Sequence, residues 1–416
     1  MKRITIIFIL FVCLIHPQKI LIPMDQTQND HLKAYGIAYY VLKRNINVEW
    51  LLNFQGGSFL IDNHPFIQAE CKIRGVSFLE LGDKLLDIYS TIEESNMDIV
   101  LLEKAPNIAI YSPPNKQPWD DAVTLALTYA EVDYKTLWDE EVINNTLDKY
   151  DWLHLHHEDF TGQYGKFYRN YHNAPWYIEQ KTRFENLAKK FGMESVHEEK
   201  KAISRMIKKF ISNGGFLFAM CSATDSYDIA LSLENIDGVH SVFDGTPVDK
   251  NIVDKIDFSK SLAFTNYKIY TDPMIYEFSD IDYPPSHNPI TRGAEADYFS
   301  LFEFSAKYDP VPTMLTQNHV PIVKGFMGQT TGFNKNMIKN HVVIMGEDPA
   351  SDQVKYLHGN FGKGTFTFYG GHDPEDYQHF VGDPPTDLSL HRNSPGYRLI
   401  LNNILFPAAR KKDKKT

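Results

Sequence analysis

Between residues 107 and 231 the chain alternates short apolar runs with helix-length segments, and this rhythm restricts the fold more than any other feature. Residues 108–111, 134–138, 152–156 and 216–219 read as strands, and 120–130 as a helix. A second helix opens at Ser195, with a capping box completed by Glu198. Its apolar stripe is Ala202, Ile203, Met206, Ile207, Phe210 and Ile211, and Gly214 and Gly215 stop it. Strands alternating with helices of this length build a doubly wound, mostly parallel α/β sheet. In such a sheet, ligands bind at the carboxyl ends of the strands.

The segments on either side extend this core. Residues 18–105 open with a strand, a helix and a β-rich run, which predicts an N-terminal βαβ segment. The core proper is expected over 106–237. A loop-rich insertion rich in Tyr, Pro and Asn follows over 238–350, with short strands at 268–270, 298–304, 321–325 and 341–345. Residues 351–409 return to the core and close on a helix at 395–405, and 410–416 form a basic tail.

Ahead of all this, Lys2 and Arg3 precede an apolar run over residues 4–15. It has the layout of a secretory leader, is too short to span a bilayer, and predicts export of the chain to the periplasm or beyond, with residues 1–17 removed. No membrane span is expected after that removal. Export leaves Cys71 and Cys221 where disulfides are permitted, and a spacing of 150 residues does not decide whether they pair. The formal charge of −11 repels a nucleic-acid backbone, so the expected partner is a small-molecule substrate.

Four short motifs sit where such a fold places chemistry. The first is Ala219, Met220, Cys221, Ser222 and Ala223. A buried strand running into a cysteine flanked by small residues suits a nucleophile elbow, and a helix beginning at Ser222 would favour the thiolate through its dipole. The second is Gly370, Gly371, His372, Asp373, Pro374 and Glu375, where a histidine ends a late strand and can serve as a base. The third is His154, Leu155, His156, His157, Glu158 and Asp159. Here His156, His157 and Asp159 can ligate a divalent metal, and His157, Glu158 and Asp159 can line a substrate site. The fourth places Asp25, Gln28 and His31 between a strand and a helix, where Asp25 and Gln28 can contact a small molecule. Each has a plainer reading: a packed cysteine, a polar turn, a hydrogen-bonded core histidine and a helix cap.

With its cysteine elbow and late histidine and glutamate, the chain resembles the class I glutamine amidotransferase-like superfamily, over residues 107–231 and 362–375. The resemblance implies a flavodoxin-like fold with Cys221 as nucleophile, His372 as base and Glu375 as its orienting acid. The chain departs from that pattern in three places. Asp373 adds a residue between histidine and glutamate, alanines replace the elbow glycines, and His157, Glu158 and Asp159 occupy a normally glycine-rich loop. The Leu-Ile-Pro-Met-Asp opening, the His-Leu-Lys-Ala-Tyr-Gly helix and the Tyr-Gly-Gly-His-Asp-Pro-Glu-Asp-Tyr segment also resemble exported Bacteroidota proteins that carry the name asparagine synthetase B. The chemistry of a synthetase is not written here: Lys2 stands where a nucleophilic cysteine is needed, and Ser222, Ala223, Thr224, Asp225, Ser226 lacks the glycines of a pyrophosphate loop. The leading expectation is thiol-dependent hydrolysis of an amide or related small substrate with no required cofactor. Two others stand beside it: a non-catalytic envelope protein that binds sugar or peptide, and a metallohydrolase on the strand end at 154–159.

Overall fold

The computed structural model describes residues 19–114, 121–283, 297–326, 328–376 and 383–409. The expected leader at 1–17 and the basic tail at 410–416 lie outside the described residues.

The N-terminal unit contains β1 (Lys19–Ile22), β2 (Val48–Leu52), β3 (Ser58–Asp62), β4 (Leu79–Glu80) and β5 (Asp98–Leu102), ordered β4-β1-β3-β2-β5 and antiparallel throughout. The strand-helix-strand order expected here is present in a split form. β1 and β2 run in the same direction, but β3 folds back between them and pairs with both. The five-residue link between β2 and β3 explains this, because a hairpin return forms locally while parallel pairing requires a long crossover.

The main sheet contains β6 (Ile108–Tyr111), β7 (Lys135–Leu137), β8 (Trp152–Leu155), β9 (Phe216–Met220), β10 (Tyr298–Leu301), β11 (Ile322–Lys324), β12 (Phe333–Asn334), β13 (Val343–Glu347), β14 (Gln353–Phe361) and β15 (Gly364–Tyr369). Its order is β11-β10-β13-β14-β15-β9-β8-β6-β7, with β12 paired to β14. The half from β7 to β15 is parallel, and the half from β14 to β11 is antiparallel. The fold is therefore mixed α/β. The loop-rich insertion supplies β10 to β13 and so widens the sheet, while the strand expected at 268–270 is reduced to a bridge between Ile269 and Ser279.

Three helices, His31–Leu42, Ala122–Ala130 and Pro395–Leu405, fill the space between the two sheets. They cover Trp50, Phe59 and Ile61 of the small sheet on one side and Trp152, Phe216 and Phe218 of the large sheet on the other. The last of them carries fully buried polar side chains that reach both ways. Arg398 donates to the carbonyls of Met24 and Gly56, Asn402 to those of Leu315 (3.1 Å) and Gln317 (2.8 Å), and Asn403 to the hydroxyl of Tyr356 on β14 (2.9 Å). Each buried donor thus meets an acceptor, as burial requires.

Val196–Ser212 and Ser222–Ser232 cover the opposite face of the main sheet. The first is capped by Ser195, which accepts from the Glu198 N–H at 3.2 Å, while the Glu198 side chain accepts from the Glu194 N–H at 2.9 Å, one residue ahead of the Ser195 N–H that a capping box would use. It ends where Gly215 passes so close to Phe210 that a Cβ would lie 2.3 Å from the ring. Its buried face carries Lys200, whose Nζ lies 2.6 and 2.8 Å from the Asp139 carboxylate and 2.9 Å from the Tyr111 hydroxyl, over the Trp138 ring at 4.2 Å. No helix among the described residues is long and apolar enough to cross a membrane. Cys71 and Cys221 are both free and buried, so the pairing left open by the sequence is not made.

Candidate functional site

The parallel strands β6, β8, β9 and β15 are adjacent, so everything just past their carboxyl ends is brought to one rim. Cys221 follows β9 and its N–H donates to the Tyr369 carbonyl at the end of β15 (3.0 Å). That bond places the cysteine beside the turn carrying His372.

Cys221 adopts φ 51° and ψ −138°, between a strand and the helix Ser222–Ser232. For a residue with a Cβ this is strained backbone, and strain of this kind costs on the order of 1–3 kcal/mol. The sharp turn is what an elbow needs to lift a side chain out of the sheet. The sulfur is 1% exposed as a residue and is roofed by the segment 328–332, where the Gln329 N–H donates to Sγ at 3.1 Å. Burial pushes the thiol up to about 11, against the pull of N–H donors from Thr330, Ser222 and Gln329. Burial thus works against the thiolate that the helix start favours. Desolvation of the charged form is the larger effect.

Gly328 measures how close the cysteine and histidine are. A Cβ on it would lie 2.9 Å from Cys221 Sγ, 3.2 Å from His372 Cδ2 and 2.7 Å from Gly371 Cα. Only a hydrogen fits between sulfur, imidazole and backbone. Gly328→Ala is expected to push the roof off the site, costing about 1–3 kcal/mol of stability and lowering any turnover. Thermal unfolding and a rate assay check this; an alanine variant of unchanged stability would mean that the three groups are not packed this closely.

The loop after β8 is held on the same rim. Ser222 and Ser226, one helical turn apart, donate to the carbonyls of His157 (2.9 Å) and Glu158 (3.1 Å). His156 and His157 face each other with ring centroids 4.4 Å apart, and both pack against His372, at 5.0 and 6.2 Å. Burial and the neighbouring imidazoles hold His157 well below the usual histidine range. Burial, with Asp121 nearby, pushes Glu158 up to about 8. A small cavity lined by His157, Glu158, Trp138, Phe184 and Lys200 adjoins them.

The metal ligands expected at 156–159 are distributed differently. Asp159 accepts from Thr161 N–H and hydroxyl and from the N–H groups of Gln163 and Gly165, so its carboxylate builds the loop. The set that converges is Asp121, His154 and His156, whose donor atoms all lie within 4.8 Å of one another, an arrangement compatible with a divalent ion. Asp121 caps the helix Ala122–Ala130 through bonds to Val123 N–H (2.8 Å) and Thr124 N–H (3.3 Å). Burial opposes its ionisation, but His156 and His154 outweigh that and hold its carboxyl below the usual range. Sequence reading missed Asp121 because an aspartate before an apolar helix already has a sufficient role as a cap.

Three other expected site residues, Glu375, Asp25 and Gln28, make local contacts. Glu375 accepts from the Ser394 hydroxyl and lies 3.4 Å from His391. Asp373, the extra residue in that spacing, accepts from the N–H groups of Glu375 (3.1 Å) and Asp376 (2.9 Å). Asp25 accepts from Thr27, and Gln28 bridges Pro23 and Ser77. His31 bonds to the carbonyls of Met24 and Asp25 and stacks on His319 at 4.3 Å. That cluster joins β1, the first helix and the C-terminal helix, as the capping alternative anticipates.

No family model and no curated protein matches the chain. Among solved structures, a cytoplasmic protein from Salmonella typhimurium aligns over 74% of this chain and 100% of its own at 10% identity, with a TM-score of 0.35. A second cytoplasmic protein, from Salmonella typhimurium LT2, aligns over 73% and 99% at 10% identity and 0.32. A β-galactosidase from Bacillus circulans sp. alkalophilus aligns over 80% of this chain and 36% of its own, at 9% identity and 0.26. Likeness at this level carries no argument about fold or function.

Proposed function

We propose that this chain is a hydrolase that cleaves an amide or related small substrate through Cys221, on a glutamine amidotransferase-like plan, and that it acts outside the cytoplasm. The observation that carries this reading is the backbone of Cys221. A residue held at φ 51° and ψ −138° between a parallel strand and a helix start costs stability, and such strain persists where a side chain must be presented for chemistry. The close approach of His372, the helix N-terminus at Ser222 and the basic-then-apolar opening of the sequence support it further.

In this reading Sγ attacks the substrate carbonyl carbon while His372 takes the thiol proton, since the resting group is protonated. The N–H of Ser222 at the helix start faces the developing oxyanion. His372 then passes its proton to the leaving amine, and water releases the acyl group from sulfur. Packing against His156 and His157 holds the imidazole in place.

Peptide-resolved iodoacetamide labelling tests the thiol's state. With a value near 11 against an ordinary 9, the thiolate fraction at pH 7.5 is about a hundredfold below that of an ordinary thiol, and labelling of Cys221 should rise roughly tenfold per unit from pH 7 to 9. A rate that is flat over that range would instead indicate a preformed thiolate-imidazolium pair. Acid quench of a reaction with p-nitroanilide amides, followed by mass spectrometry, should find the acyl group on the peptide containing Cys221. If neither adduct nor turnover arises across acyl classes, the envelope-binding alternative replaces this reading.

A further inference from the structure

The Asp121, His154 and His156 cluster carries an inference that stands independently of the thiol reading. His154 lies in β8 with its ring stacked on Trp152 and Phe218. Its Nδ1 is 3.0 Å from the Phe218 carbonyl oxygen. A carbonyl can only accept, so Nδ1 carries the proton, and in the neutral ring Nε2 is left with its lone pair. That lone pair faces Asp121 Oδ1 at 3.5 Å, and His156 Nδ1 lies 3.4 Å from the same oxygen. Both separations exceed a sound hydrogen bond. A lone pair of His154 and a carboxylate oxygen of Asp121 held this close in a buried place repel one another unless a positive charge lies between them.

The spacing indicates which positive charge. Ligands 2.0–2.1 Å from a tetrahedral ion stand about 3.4 Å apart, close to the 3.5 and 3.4 Å from Asp121 Oδ1 to His154 Nε2 and His156 Nδ1, whereas a shared proton would draw nitrogen and oxygen to about 2.8 Å. The donors are also fixed in advance. The Phe218 carbonyl orients His154, two helix N–H groups orient Asp121, and the backbone at His156 is held by its N–H donating to the Glu158 carboxylate at 3.2 Å. A carbonyl behind a ligating imidazole is the usual support of a metal-bound histidine.

We propose that Asp121, His154 and His156 hold one divalent first-row metal ion, with Zn2+ the best match to two nitrogens and one carboxylate, at the carboxyl ends of β6 and β8. With three protein ligands the ion keeps an open position for a water or a substrate oxygen, beside the rim that holds His372.

The test uses the full chain stripped by chelator dialysis and titrated with Zn2+ in a calorimeter, and with Co2+ followed by visible absorption. Wild type should take up one equivalent of each. Asp121→Asn keeps the helix cap, because asparagine caps as well as aspartate, yet should weaken uptake at least tenfold with far-UV dichroism unchanged. His154→Gln provides a second reading from the other strand and should weaken uptake similarly. Cys221→Ala should retain full uptake whether or not the enzyme reading holds, so failure of one proposal is visible apart from failure of the other. Absence of stoichiometric uptake in wild type, uptake unaltered in both ligand variants, or its loss in Cys221→Ala would overturn the site.

Discussion

Cys221→Ala is expected to lower amide hydrolysis by roughly 10³-fold or more while leaving a folded protein, because a nucleophile removed from a unit of interacting groups takes most of the chemistry with it. Ala at 221 keeps the strained backbone and loses only the sulfur, so the unfolding midpoint should move little. Cys221→Gly should be equally inactive but gain from relief of the positive φ. Adding His372→Gln to either should lower the rate no further, since the two groups act in one step. Steady-state rates and thermal melts on the three proteins check these outcomes. Retention of the wild-type rate within tenfold in Cys221→Ala would end the thiol mechanism, whatever the geometry around it.

The second large effect concerns stability. Lys200 and Asp139 are 2% and 1% exposed at their side chains, and the Tyr111 hydroxyl bonds to both. Lys200→Met should cost about 3–5 kcal/mol by leaving Asp139 charged and unpaired in a dry place, with Glu199, whose carboxyl burial pushes up to about 7, close beside it. Replacing both partners, Lys200→Met with Asp139→Leu, should recover most of that loss. Denaturant unfolding of the single and double variants decides. A single variant within 1 kcal/mol of wild type would show that the pair stabilises no more than an exposed one. The cavity beside His157 is bordered by Lys200, so the same substitution also reads the coupling of this pair to the site.

The parallel half of the fold was legible because strands buried on both faces are written as continuous apolar runs, as in Phe216–Met220 and Ile108–Tyr111. The longest strand, β14, was not. It carries Gln353, Lys355 and His358, polar residues that read as surface until their partners are known: Lys355 reaches Asp297 (2.9 Å) and the Thr331 carbonyl (2.9 Å), and His358 faces Thr367. The helix Pro175–Lys190 escaped for the opposite reason, since it buries only Tyr177, Phe184 and Ala188. The split N-terminal unit could not be told from a simple βαβ because strand order is not encoded in local periodicity.

For the site, residues that announce themselves by local context were found: the elbow at Cys221 and the turn at His372. Those defined by neighbours across the sheet were not. Asp121 meets His154 only because β6 and β8 are adjacent, and Asp159 is engaged by four donors of its own loop. The roof at 328–332 belongs to a stretch whose glycines, Gly325, Gly328 and Gly332, were the available signal.

The helix Pro395–Leu405 has a consequence for how the molecule comes into being. It lies between both sheets and is far in sequence from Trp50 on one side and Phe216 on the other, so each face keeps apolar surface uncovered until it docks. Contacts across such separations close long loops and form slowly, which makes this docking a late packing step in folding.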